Sequence, residues 1–347
     1  MDPSASPSPD PAAPDVRRAA LTEWLGQLRR SHGLEPETLR PASADASFRR
    51  YFRVNASEAS LIAMDAPPDK EDSRPFIHVA RLLREAGLNA PQVLEADLGQ
   101  GFLLLTDLGT TTYLSALNDD SATALFDDAM EALVRWQVAS RPGELPPYDE
   151  ALLRRELGLF PDWYVARHLG HALTDRQAQV LRQAFDRIVA SNLAQPAVYV
   201  HRDYMPRNLM VASPNPGVLD FQDAVMGPIA YDVASLFRDA FISWEEERVL
   251  DWVIRYWQKA RRAGLPVRDD FGAFWRDFEW MGLQRHLKVL GIFARINYRD
   301  GKPHYLADTP RFVGYVRAVT RRYDELAPLG RLFDELEGVA TRVGYTF

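Results

Sequence analysis

Residues 201–208 read His201-Arg202-Asp203-Tyr204-Met205-Pro206-Arg207-Asn208, and a second acid, Asp220, follows twelve positions after the asparagine. These residue types at this spacing suit phosphoryl transfer. A carboxylate beside an acceptor orients its hydroxyl and takes its proton, while an amide oxygen and a second carboxylate hold a hard divalent cation against phosphate oxygens. The loop satisfies H-R-D-x-x-x-x-N at all four specified positions. Asp203 is therefore assigned to the acceptor hydroxyl, and Asn208 and Asp220 to Mg²⁺, with His201 and Arg202 supporting the loop.

Matches of this length also arise as charged surface turns, so the flanking elements decide. Ala197-Val198-Tyr199-Val200 reads as a short strand entering the loop. Asn208 to Ala212, the turn Ser213-Pro214-Asn215-Pro216-Gly217 and Val218 to Phe221 read as a strand, a reversal and a returning strand. That return would bring Asp220 back beside Asn208. Asp232, after Tyr231 near the start of an apolar helix, is expected to fix the loop by capping or ion pairing.

Upstream, Leu21, Trp24, Leu25 and Leu28 recur at helical spacing. Ser47 to Val54 and Ala59 to Met64 predict a hairpin, Phe76 to Ala86 a helix, and Pro91 to Leu94 and Gly101 to Leu105 two more strands. Past Asp107-Leu108-Gly109 the texture is mainly helical, over 122–140, 152–169, 175–193 and from Ala230 onward. The fold expected is α+β and protein-kinase-like. Residues 1–16 are a disordered Pro-rich tail, 17–107 a small antiparallel-sheet N-lobe, and 108–347 a larger, mainly helical C-lobe, with the active site between the lobes.

Composition narrows the partners. With 347 residues, 46% of them hydrophobic, the chain can fill a core in each lobe. The net charge of −7 argues against nucleic acid or an anionic membrane as main partner. Without cysteine there is no disulfide, thiolate metal site or cysteine nucleophile. The segment Met1 to Pro14 lacks the basic start and apolar run of a secretory signal, and no stretch has the length of a membrane span, so a cytoplasmic location is expected. No obligate protein partner is evident.

The catalytic segment resembles the aminoglycoside phosphotransferase and choline kinase superfamily, whose members share the protein-kinase fold. A narrower likeness rests on Leu219-Asp220-Phe221-Gln222-Asp223-Ala224, Gly227-Pro228, Tyr231-Asp232 and Leu236-Phe237-Arg238-Asp239. Asp45 to Phe52, Met64-Asp65-Ala66-Pro67-Pro68, Gly291 to Arg295 and Tyr298 to Pro303 extend it over roughly residues 40 to 320. These resemble the bacterial kinases that phosphorylate the anomeric hydroxyl of N-acetylmuramate and N-acetylglucosamine. The resemblance implies ATP and Mg²⁺, an amino-sugar substrate, and a role in recycling cell-wall sugars toward nucleotide-sugar precursors.

Two departures stand out. The turn that would cover the phosphates, Ala44-Asp45-Ala46-Ser47-Phe48, has no glycine, so Ser47 and Phe48 are expected to approach the nucleotide by backbone and hydroxyl. The strand that would carry an ATP-binding lysine reads Leu61-Ile62-Ala63-Met64-Asp65, and the next helix has Phe76 where its glutamate partner would stand. Arg49, Arg50, Arg53 or Lys70 are the candidate replacements. Thr106, Asp107 and Leu108 mark the lobe connection that would meet adenine. For the sugar, the candidates are Asp223, Arg207, Glu156 and Trp163. Two other readings fit the same residues: a kinase of aminoglycosides or another small metabolite, and a pseudokinase serving as a binding module.

Overall fold

Phe52 and Val54 alternate with Tyr51 and Arg53, which gives a strand one apolar face, and both apolar residues are buried. The computed structural model in which they lie describes residues 15–43 and 48–338. Of the expected tail, residues 1–14 are outside that range, and Asp15 caps the first helix by accepting the Arg18 N–H. The described chain divides into two units. One runs to Leu82 and resumes at Ala90–Gly109; the other holds Leu83–Asn89 and everything from Thr110.

The first unit begins with helix α1 (Val16–Gln27) and the single-turn α2 (Arg29–His32). Strands β1 (Leu34–Ser43), β2 (Arg50–Ala56) and β3 (Ser60–Asp65) follow, then α3 (Arg74–Glu85), which runs into the second unit, and strands β4 (Val93–Asp97) and β5 (Phe102–Thr106). The strands form one antiparallel sheet in the order β1-β2-β3-β5-β4. Leu21, Trp24 and Leu25 of α1 close its core over Leu34, Leu39, Phe52, Val54, Ala63, Phe102 and Leu104. Strand β1 was not foreseen, because Pro36 and Pro41 interrupt it. At the sheet edge prolines are tolerated, and its pairing with β2 shifts register twice.

The second unit carries helices α4 (Tyr113–Ala116), α5 (Ala122–Val138), α6 (Glu150–Leu159) and α7 (Asp175–Leu193). Strands β6 (Ala197–Val200), β7 (Leu209–Met210), β8 (Gly217–Val218) and β9 (Val225–Pro228) come next, and then α8 (Tyr231–Phe237), α9 (Glu246–Arg262), α10 (Phe271–Asp300), α11 (Thr309–Arg322) and α12 (Ala327–Leu336). β6 pairs with β9 and β7 with β8. The helix expected over 152–169 is two segments: α6 stops at Leu159 and Phe160–His168 is π-helical. Pro161 donates no backbone hydrogen bond, so the α-helical ladder cannot pass through it. No described helix is long and apolar enough to cross a membrane.

Gly291 of α10 faces that junction. A Cβ there would lie 2.4 Å from the Leu159 carbonyl carbon and oxygen, which no rotamer change can relieve. Gly291→Ala is therefore expected to lower unfolding free energy by about 3 kcal/mol through overpacking, read by denaturant titration. A loss below about 0.5 kcal/mol would be surface-like and would show that the two helices have room to separate.

Candidate active site

The loop 201–208 leaves β6 and is held from beneath by α8. Asp232, in the first turn of α8, accepts the His201 N–H at 2.7 Å and the Arg202 N–H at 3.0 Å. Burial pushes this carboxyl up to about 7 against the pull of those two N–H groups. His201 is fully internal, and burial lowers its pKa to about 4, so the ring is neutral. Its Nε2 lies 3.0 Å from the Leu219 carbonyl, an acceptor only, and its Nδ1 receives the Asp203 N–H at 3.3 Å. The tautomer is thereby fixed with the proton on Nε2. One imidazole ties the backbone of Asp203 to the residue before Asp220.

Asn208 and Asp220 meet because β7 and β8 pair in the register Leu209↔Val218 and Met210↔Gly217. The Leu219 N–H then reaches the Asn208 carbonyl at 2.9 Å. Asn208 Nδ2 donates to the Asp203 carbonyl at 3.0 Å and to Asp220 Oδ2 at 3.2 Å. Both partners only accept, so the amide must face them with its NH₂ group, and its oxygen is used by neither bond. Gln222 Nε2 donates to Asp220 Oδ1 at 2.9 Å. The expected strand over 218–221 ends early, at Val218. Beyond it Asp220 takes φ 61, and in the catalytic loop Arg202 takes φ 77. These two are the described non-glycine residues at positive φ, and both lie at the site, where surrounding bonds hold such strain.

No described group of three or more His, Cys, Asp or Glu side chains could hold a metal by itself. An amide oxygen with one carboxylate fits Mg²⁺ nonetheless, since that ion is commonly bound by one or two carboxylates completed by substrate phosphates and water.

Beneath Arg202 lies a buried charge network. Glu156 Oε1 takes Arg202 Nη2 at 2.5 Å and Lys288 Nζ at 2.9 Å, and its Oε2 accepts the Tyr148 hydroxyl. Lys288 also reaches the Tyr231 hydroxyl at 3.1 Å. Burial opposes the ammonium charge, but Tyr231, Glu156 and Asp203 hold the Lys288 pKa above its ordinary value. Burial likewise opposes ionisation of Glu156, and Lys288 and Arg202 outweigh it to keep the carboxylate below its usual range. Lys288, Tyr148 and Tyr231 were absent from the candidates. A signal existed for Lys288: it stands alone within the apolar run Leu287 to Leu290, where a helix offers no solvated face.

The remaining candidates are dispersed. Glu156 is buried in the network just described, its oxygens engaged by internal partners. Arg207 is half-buried with its guanidinium 4.9 Å from the Phe241 ring centre. Asp223 is exposed, its carbonyl 3.4 Å from Arg202 Nη1, and Trp163 is half-buried on the π-helical segment. In the first unit, Ser47 lies outside the described residues and Phe48 is exposed. The Thr106 hydroxyl accepts the Gln92 N–H at 2.9 Å, and Leu108 is half-buried. Burial disfavours the Asp107 charge, but Arg53, Ser60 and the Gly109 N–H hold its pKa below the usual range. Of the candidate cations, Arg49 meets Glu71 at 2.8 Å, Arg50 meets Asp65 at 2.5 Å, and Lys70 meets Asp69 at 3.4 Å.

The model of the phosphotransferase enzyme family matches residues 38–271. An N-acetylmuramate/N-acetylglucosamine kinase of Pseudomonas aeruginosa is 56% identical over 329 residues, 93% of this chain and 97% of that protein. A protein of the same name from Pseudomonas putida is 52% identical over 94% of this chain and 98% of its own length. Among solved structures, an aminoglycoside phosphotransferase bound to ADP superposes with a TM-score of 0.58 at 16% identity, covering 90% of this chain and 98% of the other. That last likeness establishes the protein-kinase-like fold. With a family match that runs from the edge strand of the sheet past the catalytic loop and Asp220, the chain belongs to the phosphotransferase enzyme family.

Proposed function

We propose that this protein transfers the γ-phosphoryl group of ATP to the anomeric C1 hydroxyl of N-acetylmuramate and N-acetylglucosamine. The observation that carries the reading is the likeness, over nearly the whole of both chains, to kinases of that name. Asp203 accepts the C1 hydroxyl proton as the sugar oxygen bonds to the γ-phosphorus and the bond to the bridging oxygen of ADP breaks. Asn208 and Asp220 would hold Mg²⁺, which when bound neutralises charge on the phosphate oxygens. His201 and Asp232 keep the loop rigid, and Arg202 anchors it to Glu156. Ser47, Phe48 and the backbone of Thr106, Asp107 and Leu108 are assigned to the nucleotide, Asp223, Arg207 and Trp163 to the sugar. A sugar 1-phosphate made in the cytoplasm suits the reuse of cell-wall sugars as nucleotide-sugar precursors.

The anomeric position is the sharpest part of this reading. The methyl glycoside of N-acetylglucosamine keeps every hydroxyl except that on C1, so it is expected to accept no phosphate. With free N-acetylglucosamine, phosphorus NMR of the product should show coupling to the anomeric proton. A phosphorylated methyl glycoside, or coupling to the C6 protons, would overturn the regiochemistry.

A further inference from the structure

Nearly every half-buried arginine of the described chain meets an acid, a carbonyl or another hydrogen-bond partner. Arg207 and Arg295 are the two that make neither hydrogen bond nor ion pair among the described residues. Arg207 rests on Phe241. Among the described residues no ring lies beneath Arg295, and its Nε is buried with no partner. Burial lowers its pKa and Arg299 repels it, with only Asp300 in opposition. Asp300 itself is bound by Arg299, through bonds of 2.6 and 2.9 Å. With Lys302 following, three cations share one acid at the end of α10. The helix dipole favours Arg299, in the last turn, but its effect has faded at Arg295.

The register of α10 locates this cation. Gln284, Lys288, Gly291 and Arg295 follow one another by four, three and four residues and so share a helix face. The neighbours of the first three advance along α6. Gln284 donates to the Leu153 carbonyl at 2.9 Å, Lys288 meets Glu156 at 2.9 Å, and Gly291 passes the backbone of Leu159. Continuing that march sets Arg295 level with the first turn of the π-helical segment, which carries Trp163. Lys288 and Arg285, whose Nη2 lies 3.7 Å from Met205 Sδ, mark where α10 passes the catalytic loop. Arg295 stands about 10 Å further along the axis. This is the reach of a pyranose ring and one substituent rather than of the transferring phosphate.

We infer that Arg295 is a specificity-determining residue that binds the lactyl carboxylate of N-acetylmuramate. The inference rests on the proposed function and refines it. The two sugars differ only by that carboxylate-bearing group, so an unpaired arginine about two turns of α10 beyond the residues that meet the catalytic loop and its anchor serves one of them and not the other. A hydroxyl would leave the cation without a counter-charge, whereas a carboxylate accepts its fork through two N–H groups.

The test is steady-state kinetics of Arg295→Met with both sugars. The ratio of kcat/KM for N-acetylmuramate to that for N-acetylglucosamine is expected to fall on the order of 30-fold, as for a lost hydrogen-bonded charge pair, mainly through KM. Arg295→Lys, which keeps the charge without the fork, should recover part of the ratio. An unchanged ratio, with both sugars affected equally or not at all, overturns the inference and leaves the kinase reading intact. A native enzyme that phosphorylates neither sugar overturns both. Salt gives a check that needs no substitution: calorimetric affinity of the native protein for N-acetylmuramate should weaken with ionic strength more than that for N-acetylglucosamine. Parallel salt responses would overturn the inference as well.

Discussion

Asp203→Asn is expected to lower kcat by about 10³-fold while ATP affinity stays within about two-fold, because general-base catalysis typically contributes 10²–10⁴. The substitution changes one side-chain oxygen to NH₂ and leaves the loop intact. Asp203 is tied into the loop through its backbone, the N–H donating to His201 Nδ1 and the carbonyl accepting from Asn208 Nδ2. Those bonds survive in asparagine. What disappears is the proposed proton acceptor for the sugar hydroxyl, so the loss should fall on kcat and kcat/KM alike. Single-turnover measurement with saturating ATP isolates the chemical step. A rate within ten-fold of the native enzyme would remove Asp203 from the mechanism, whatever the fold.

Much of the secondary structure was readable from the chain. Apolar alternation in β2 and β3 and helical spacing in α1, α5 and α7 are local signals, and each corresponds to an element of that type in the structure. Three features were not readable. β1 contains two prolines and is stable only as an edge strand against β2. At the π-helical segment Pro161 was a local sign of a break in the α-helical ladder, but the contact just before it, where α10 presses Gly291 against Leu159, has no local trace. β9, at Val225–Pro228, contains Gly227, whose added Cβ would come 2.8 Å from Tyr148 Cβ. A glycine beside a proline reads as a turn until the tyrosine packed on it is known.

The site divides along the same line. His201, Asp203, Asn208 and Asp220 lie within one short stretch, so the spacing could show the return that brings Asp220 beside Asn208. The anchors beneath them come from far along the chain. Glu156 is 46 residues from Arg202, and Lys288 is 57 from Tyr231. Only an acid on α6 and a lysine on α10 brought to one point could show that Arg202 is held by a shared carboxylate. That network also explains why Arg202 can occupy φ 77. Its N–H is fixed by Asp232, its carbonyl accepts the Ser235 hydroxyl at 3.2 Å, and its guanidinium is tied to Glu156, so the strained backbone has no free end to relax.

Loss of Asp220 should be more damaging to nucleotide binding than loss of Asp203. Asp220→Asn is expected to weaken binding of ATP in the presence of Mg²⁺ by about 100-fold or more and to erase the difference between titrations with and without the ion. A neutral amide beside the neutral Asn208 leaves no anionic ligand between them for a hard cation. Asparagine is the informative choice because position 220 sits at φ 61, a conformation asparagine tolerates well. It also keeps the size that lies against Asn208 Nδ2 and Gln222 Nε2, although both of those donors lose the charged acceptor. Asp220→Ala removes the ligand too, but adds roughly 1 kcal/mol of left-handed backbone strain, so its melting temperature should drop where that of Asp220→Asn drops less. Calorimetric titration of both variants separates the two effects. If Asp220→Asn binds Mg²⁺-ATP as tightly as the native protein, the carboxylate is not a metal ligand, and its bonds to Asn208 and Gln222 serve only to hold the open end of the β7–β8 hairpin.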